Sequence, residues 1–316
     1  MELGYHLSAE EHGPDKLVRT AVCAEEAGFT FALVSDHYHP WLEAQGQSPF
    51  VWVVVGMLAR ATQRMRIGTG VTCPTMRMHP AIVAHAAATA AVALDGRFFL
   101  GVGSGEWLNE HILGGRWPPP GVRLDMLEEA IQVIRALWSQ DGVTHRGTHF
   151  TVEDARLYTR PERPPPLLVA AGGPRSTSIA AEHGDGVIAI SPDSSLVERF
   201  VQAAGQDASR YAKMTVCWAQ DEEEARRTAL RWWGNDGMGP LGTDLRTVEH
   251  FEAALARMRD DAAIAGVLTG PDPERYAARI GEFVDAGFDH VYLHQVGPQQ
   301  DAFIDFFTRE VRPRLE

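Results

Sequence analysis

Along the chain, short continuous apolar runs alternate with longer stretches whose apolar residues recur at helical spacing. Glu2–Ser8 predicts a strand, Pro14–Ala27 a helix with proline near its start and Gly28 just past its end, and Phe29–Ser35 a second strand. Phe50–Ala61 follows as an apolar helix, Arg66–Thr72 as a short strand and Pro80–Leu94 as an alanine-rich helix ended near Gly96. Phe98–Gly103 is apolar enough to be a strand covered on both faces. Leu124, Leu127, Ile131, Ile134 and Leu137 place a helical stripe on Val122–Trp138. Strand signals return at Leu167–Ala171, Gly186–Ser191, Lys213–Ala219 and His290–Gln295, with helices at Asp221–Trp233, Asp272–Ala286 and Asp301–Arg309.

About eight β/α alternations in a row predict an α/β chain folded as a (β/α)8 barrel, with an open doubly wound sheet as runner-up. Trp107–Gly121 and Trp138–Pro166 read as insertions on the repeat, the second carrying a hairpin over His145–Tyr158 turned at Gly147. Gly234–Gly242 reads as a further excursion. No linker is long enough to separate autonomous units, so one domain over residues 1–316 is expected.

Charge then limits the partners. Twenty-nine Lys+Arg against 42 Asp+Glu leave a net charge of −13, which provides no basic field for nucleic acid or an anionic membrane. Lys16 and Lys213 are the whole lysine complement, so few sites can depend on an ammonium group. Cys23, Cys73 and Cys217 have no CxxC spacing and the histidines no HExxH pattern, so neither a disulfide framework nor a metal site is expected. The N-terminus lacks a cationic segment followed by an apolar core, and the longest apolar run, Phe50–Ala59, is too short to cross a membrane. A cytoplasmic protein acting on small molecules is the expectation.

In such a barrel, polar residues just past the C-terminal ends of strands converge on one mouth. They are Glu10, Asp36 and His37, Cys73 and Thr75, Gly105 and Glu106, and Gly172 and Gly173. An imidazole at His37 can take a proton near neutral pH, and the indole of Trp41 can wall a planar ring. The glycines flanking Ser104 let backbone approach a ligand, with Glu106 over the mouth. Ala170–Ser176 turns on glycines into a helix start that can hold an anion, with Arg175 adding charge. Each has a plainer reading: a solvated pair for Asp36 and His37, a rim hydrophobe for Trp41, a tight turn for Ala170–Ser176. Gly101–Glu106 is a poor dinucleotide fingerprint because Glu106 stands where the third glycine belongs.

Taken together, Ser8-Ala-Glu10, Ser35–Trp41, Gly68–Thr75, His79-Pro80, Gly101–Glu106 with Asn109, and Ala170–Pro174 resemble the F420-dependent luciferase-like oxidoreductases. The likeness is to the F420-dependent glucose-6-phosphate dehydrogenase branch and runs from Leu3 to Leu315. It implies a barrel of the bacterial luciferase type, a homodimer, coenzyme F420 at the mouth, and a non-prolyl cis peptide at Gly70-Val71. By the same resemblance Asp36 and Asn109 contact the cofactor, Ser104 and Gly105 lie along its ring, and Gly172, Gly173, Arg175 and Ser176 hold its phosphate end. Cys73 stands where the family commonly has threonine, which removes a hydroxyl donor. His37, Trp41, Glu10 and Glu106 fall on catalytic positions. His37 would take the substrate's hydroxyl proton as hydride leaves for the deazaflavin, Glu106 would sit at the N1 side of the ring, and Trp41 and Glu10 would position the substrate.

The substrate end departs from that branch. Ile190 and Asp193 occupy positions where it has threonine and lysine, and an aspartate repels phosphate. The expected substrate is therefore a non-phosphorylated alcohol, hemiacetal or carbonyl compound, with Trp232, Trp233 and Met238 as candidate walls of a less polar pocket. An FMN-dependent monooxygenase on the same fold, or a non-catalytic cofactor-binding paralogue, are the alternatives.

Overall fold

The computed structural model describes residues 1–315. Strands β1 (Glu2–Leu7), β2 (Phe31–Val34), β3 (Arg66–Thr69) and β4 (Phe98–Val102) pair in parallel in chain order. Strands β5 (Val143–Arg146) and β6 (Thr151–Ala155) form a separate antiparallel hairpin. Pairing then continues through β7 (Leu167–Ala170), β8 (Gly186–Ala189) and β9 (Ser209–Cys217). β10 (Leu268–Thr269) adds only to the end of β9, and β11 (His290–Gln295) joins β9 to β1. The eight strands β1, β2, β3, β4, β7, β8, β9 and β11 thus close on themselves as a (β/α)8 barrel.

Helices α1 (Pro14–Glu26), α2 (Val51–Ala61), α3 (Pro80–Ala93), the short α4 (Trp107–Glu110) and α5 (Pro120–Ser139) cover the first half. Helices α6 (Pro174–His183), α7 (Ser194–Ala204), α8 (Glu222–Trp233), α9 (Val248–Leu255), α10 (Asp260–Ala263), α11 (Pro273–Asp285) and α12 (Gln300–Phe306) cover the second. Strand side chains alternate between two cores. Phe31, Leu33, Phe99, Leu168, Ile188, Tyr211 and Tyr292 fill the barrel, whereas neighbours such as Ala32, Val34, Leu100 and Val169 pack outward against the helices. Room for the large inner rings comes from Gly4 and Gly68, paired with Phe31 and Phe99. A methyl group at either glycine would overlap the ring beside it.

Several boundaries differ from the sequence expectation for local reasons. β2 starts at Phe31 because Gly28, at φ +87°, and the Phe29 N–H bond to Ala24 still belong to the end of α1. β3 stops at Thr69 because the next peptide, Gly70-Val71, is cis. β9 begins at Ser209, four residues before the expected start, since Ser209–Ala212 pair with β8. The Gly234–Gly242 excursion is a run of tight 3-10 turns over Asp236–Asp244. No helix among the described residues is long and apolar enough to cross a membrane, and none of their His, Cys, Asp and Glu groups could hold a metal ion.

Candidate active site

The turn after β1 brings Glu10 back beneath the end of β2. Its Oε2 accepts hydrogen bonds from the hydroxyls of Ser8 (3.0 Å) and Ser35 (2.5 Å), while Ser35 Oγ accepts from the Ala9 N–H at 2.8 Å. The other oxygen lies 3.2 Å from His37 Nε2, and Glu106 Oε2 stands 3.6 Å from the same nitrogen. One imidazole is therefore held between two carboxyl groups. Its Nδ1 is flanked at 3.2 Å by a donor, Asn109 Nδ2, and at 3.2 Å by an acceptor, the His39 carbonyl, so either tautomer is accommodated. The Asn109 amide is itself oriented by the Tyr38 and His39 N–H groups, which donate to Oδ1. Trp41 packs on His37 with ring centroids 4.9 Å apart and is braced by Phe251.

The two carboxyl groups are driven in opposite directions. Burial alone would raise Glu10, but attraction to His37 and the Ser35 hydrogen bond hold it at about 2. Burial pushes Glu106 up to about 7, against the pull of His37. A carboxylate permanently charged and another near half-protonation at neutral pH thus share one histidine, an arrangement suited to moving a proton.

The opposite wall is backbone. The cis peptide Gly70-Val71 and the Gly103–Gly105 segment line a cavity of about 440 Å³ together with Cys73, Ser104 and Glu106. A Cβ at Gly103 would come within 2.8 Å of Val71, and one at Gly105 within 2.5 Å of Cys73 Sγ, so only glycine lets the backbone pack this closely on those two side chains. Behind it Asp36 is buried, accepting from Thr72 Oγ1 at 2.8 Å and ion-paired with Arg77 at 2.8 Å. Arg77 also donates its N–H to Glu110 at 2.6 Å. Cys73 Sγ lies 2.9 Å from Thr75 Oγ1.

Comparison with known proteins identifies the family of the barrel. Residues 1–290 match the family model described as luciferase-like monooxygenase. The chain belongs to this family. It is 35% identical, over all of its length and 98% of the relative's, to the F420-dependent glucose-6-phosphate dehydrogenase of Amycolatopsis mediterranei. The corresponding protein of Tsukamurella paurometabola is 36% identical over 100% of this chain and 98% of its own. A solved F420-dependent secondary alcohol dehydrogenase, in complex with an F420-acetone adduct, superposes with a TM-score of 0.92 at 30% identity, covering 100% of this chain and 99% of that one. The tetrahydromethanopterin reductase of Methanopyrus kandleri shares the fold, with a TM-score of 0.78 at 21% identity over 100% and 99% of the two chains.

Within this luciferase-like barrel, Glu10, Asp36, His37, Trp41, Gly70, Val71, Cys73, Ser104, Gly105, Glu106 and Asn109 all line the cavity, as do Gly172, Gly173 and Ser176. The Gly172 and Gly173 N–H groups point to Ser176 Oγ at 3.3 and 3.2 Å. Arg175 does not join them: it turns outward, pairing with Asp125 and donating to the Gly121 carbonyl at 3.0 Å. Asp193 is likewise elsewhere. Its carboxylate caps α7, accepting from the Ser195 and Leu196 N–H groups at 2.9 and 3.1 Å. Ile190 lies at the rim, 74% exposed, and Trp233 lines the cavity, while Met238 packs with Leu42, Leu108 and Phe251 and Trp232 packs against the cluster containing Cys217 and Ala229.

Other cavity residues escaped the sequence analysis. Arg123, buried near the start of α5, stacks 4.1 Å from the Trp117 ring and reaches Asp244 at 3.6 Å. His6 and Lys213 enter from β1 and β9. Period-two alternation from Tyr211 was the available signal for Lys213.

The depressed Glu10 value fixes the sign of a stability test. A carboxyl group with a lowered folded pKa stabilises the fold above its ordinary value of 4.5 and loses that contribution as pH falls toward about 2. Glu10→Gln is expected to reduce unfolding stability by about 2 kcal/mol at pH 7. Denaturant titrations should show the deficit shrinking as pH drops through that window; a constant deficit would rule out the charged pairing.

Proposed function

We propose that this chain is a coenzyme F420-dependent oxidoreductase that exchanges hydride with a non-phosphorylated alcohol, hemiacetal or carbonyl compound. The observation that carries the reading is the His37 imidazole held between Glu10 and Glu106, facing a wall of bare backbone at Gly70-Val71 and Gly103–Gly105. That wall fits a flat ring, because Gly103 and Gly105 add no side chain to it and their backbone packs directly on Val71 and Cys73. Asp36, Cys73, Ser104 and Asn109 would meet the ring edge, and Gly172, Gly173 and Ser176 at the start of α6 would hold the phosphate end. Arg175, already paired with Asp125, stands outside that role. When bound, F420 supplies the two-electron acceptor or donor, taking or giving hydride at its deazaflavin C5.

This chain's residues handle the proton. In oxidation the substrate C–H leaves as hydride and its O–H proton goes to His37 Nε2; in reduction both return. Glu10 orients the imidazole and balances its charge, Glu106 holds or releases a proton beside the ring, and Trp41 covers the imidazole. Ile190, exposed at the rim, and Asp193, capping α7, bring no positive charge to the substrate end, which supports a non-phosphorylated substrate. The three thiols are all unpaired, which suits the reducing cytoplasm.

A homodimer belongs to the same reading. Val53 on α2 and Ile82 and Val92 on α3 are exposed, and α3 is apolar nearly all round, which favours a covering partner. Sedimentation at micromolar concentration should give twice 34.7 kDa for the wild type and the monomer mass for Val53→Glu/Ile82→Glu; a wild-type monomer would contradict the pairing.

The cofactor assignment is tested by fluorescence titration with oxidised F420 and, in parallel, FMN. Saturable F420 binding with weaker FMN binding is expected, and the reverse order would overturn it. His37→Ala should lower turnover by about a hundredfold or more while F420 affinity stays within about tenfold. Undiminished turnover would remove His37 from the chemistry.

A further inference from the structure

Lys213 is an ammonium group on the barrel cavity with no salt-bridge partner among the described residues; the carboxyl group that feels its charge is Glu106, on the same cavity, which it pulls downward against the stronger effect of burial. On β9, Ala212, Met214 and Val216 pack outward into the helix-facing core, so alternation turns Tyr211 and Lys213 inward. Lys213 Nζ lies 5.3 Å from the centroid of the Trp233 ring, and among the described residues no carboxylate comes within 4 Å of it. Its neighbours do not neutralise it. His6, on the same cavity, and His294 behind it are buried, and burial together with the Lys213 charge holds both imidazoles uncharged. Around the barrel, β9 is four strands from β3 in either direction, so Lys213 faces the Gly70-Val71 wall across the cavity.

A partly desolvated charge without a partner is costly, and a ligand that brings the opposite charge recovers that cost. We propose that Lys213 receives a carboxylate carried by the substrate, and that the substrates are hydroxy acids and the corresponding oxo acids. The inference rests on the F420 reading, which seats the ring against the β3–β4 wall and leaves the β9 side to substrate. One ammonium matches one carboxylate. A phosphate offers three acceptor oxygens, and the other basic side chain on the cavity, Arg123, is already engaged by Asp244 and Trp117. The chemistry balances with the carboxylate unchanged: the CH–OH carbon gives hydride to F420, its hydroxyl gives a proton to His37, and a carbonyl forms.

The test is calorimetric titration of the full chain, with and without oxidised F420, using pyruvate, 3-oxobutanoate, 4-oxopentanoate and their primary amides. At least one acid should bind about tenfold tighter than its amide, the range expected for a charged hydrogen bond. Lys213→Arg should keep the preference and Lys213→Met should lose it. Lys16→Met, at the surface pair with Asp301, should leave it unchanged. Equal binding of every acid and amide, no saturable binding of any acid, or a preference that survives in Lys213→Met would each overturn the proposal. Failure of F420 to bind the wild type is a separate outcome and overturns the cofactor reading instead.

Discussion

The carboxylate of Glu10 ties the ends of β1 and β2 together. Through Ser8, Ser35 and His37 it gathers two adjacent strand ends around one buried anion, and the imidazole is thereby fixed over the barrel mouth. Remove that anion and His37 loses the partner that orients it. Glu106 approaches the same nitrogen from the end of β4 but without comparable hydrogen bonding, so burial dominates and its proton is retained to near neutrality. Two groups of identical chemistry acquire different tasks because one is paired and the other is only enclosed.

The rest of the site complements that polar corner. Glycines at 103 and 105 let the backbone of one wall pack closely on Val71 and Cys73, and the Asp36–Arg77–Glu110 network behind it holds charge without exposing it. The far side, from β9, contributes a single cation rather than a cluster. The polar corner and the cation thus stand on opposite sides of one cavity.

Most of the barrel could be read from the chain, since strands buried on both faces appear as uninterrupted apolar runs between helical stripes. Glu10, His37, Trp41 and Glu106 were legible as cavity residues because each follows a strand or a glycine turn closely, whereas Asn109 came only from the family resemblance. Asp193 was misplaced because the same Asp-Ser-Ser-Leu segment is also a helix cap, and the local hydrogen bonds prevail over any role at the cavity. Arg175 was misplaced because its partner, Asp125, lies 50 residues earlier on another helix. Arg77, Arg123 and Lys213 depend on which way a strand or insertion faces after the barrel closes. Sequence spacing alone does not carry that information.

The central claim is that Glu10 and Glu106, on either side of one imidazole, titrate far apart. Carbon-13 NMR of side-chain carboxyl-labelled glutamates across the range from pH 3 to pH 8 tests it, with Glu10→Gln and Glu106→Gln for assignment. The account predicts one resonance titrating near 7 that disappears in Glu106→Gln, and another still ionised at the acid end of the range that disappears in Glu10→Gln. Two resonances titrating together at the ordinary value of 4.5 would contradict it.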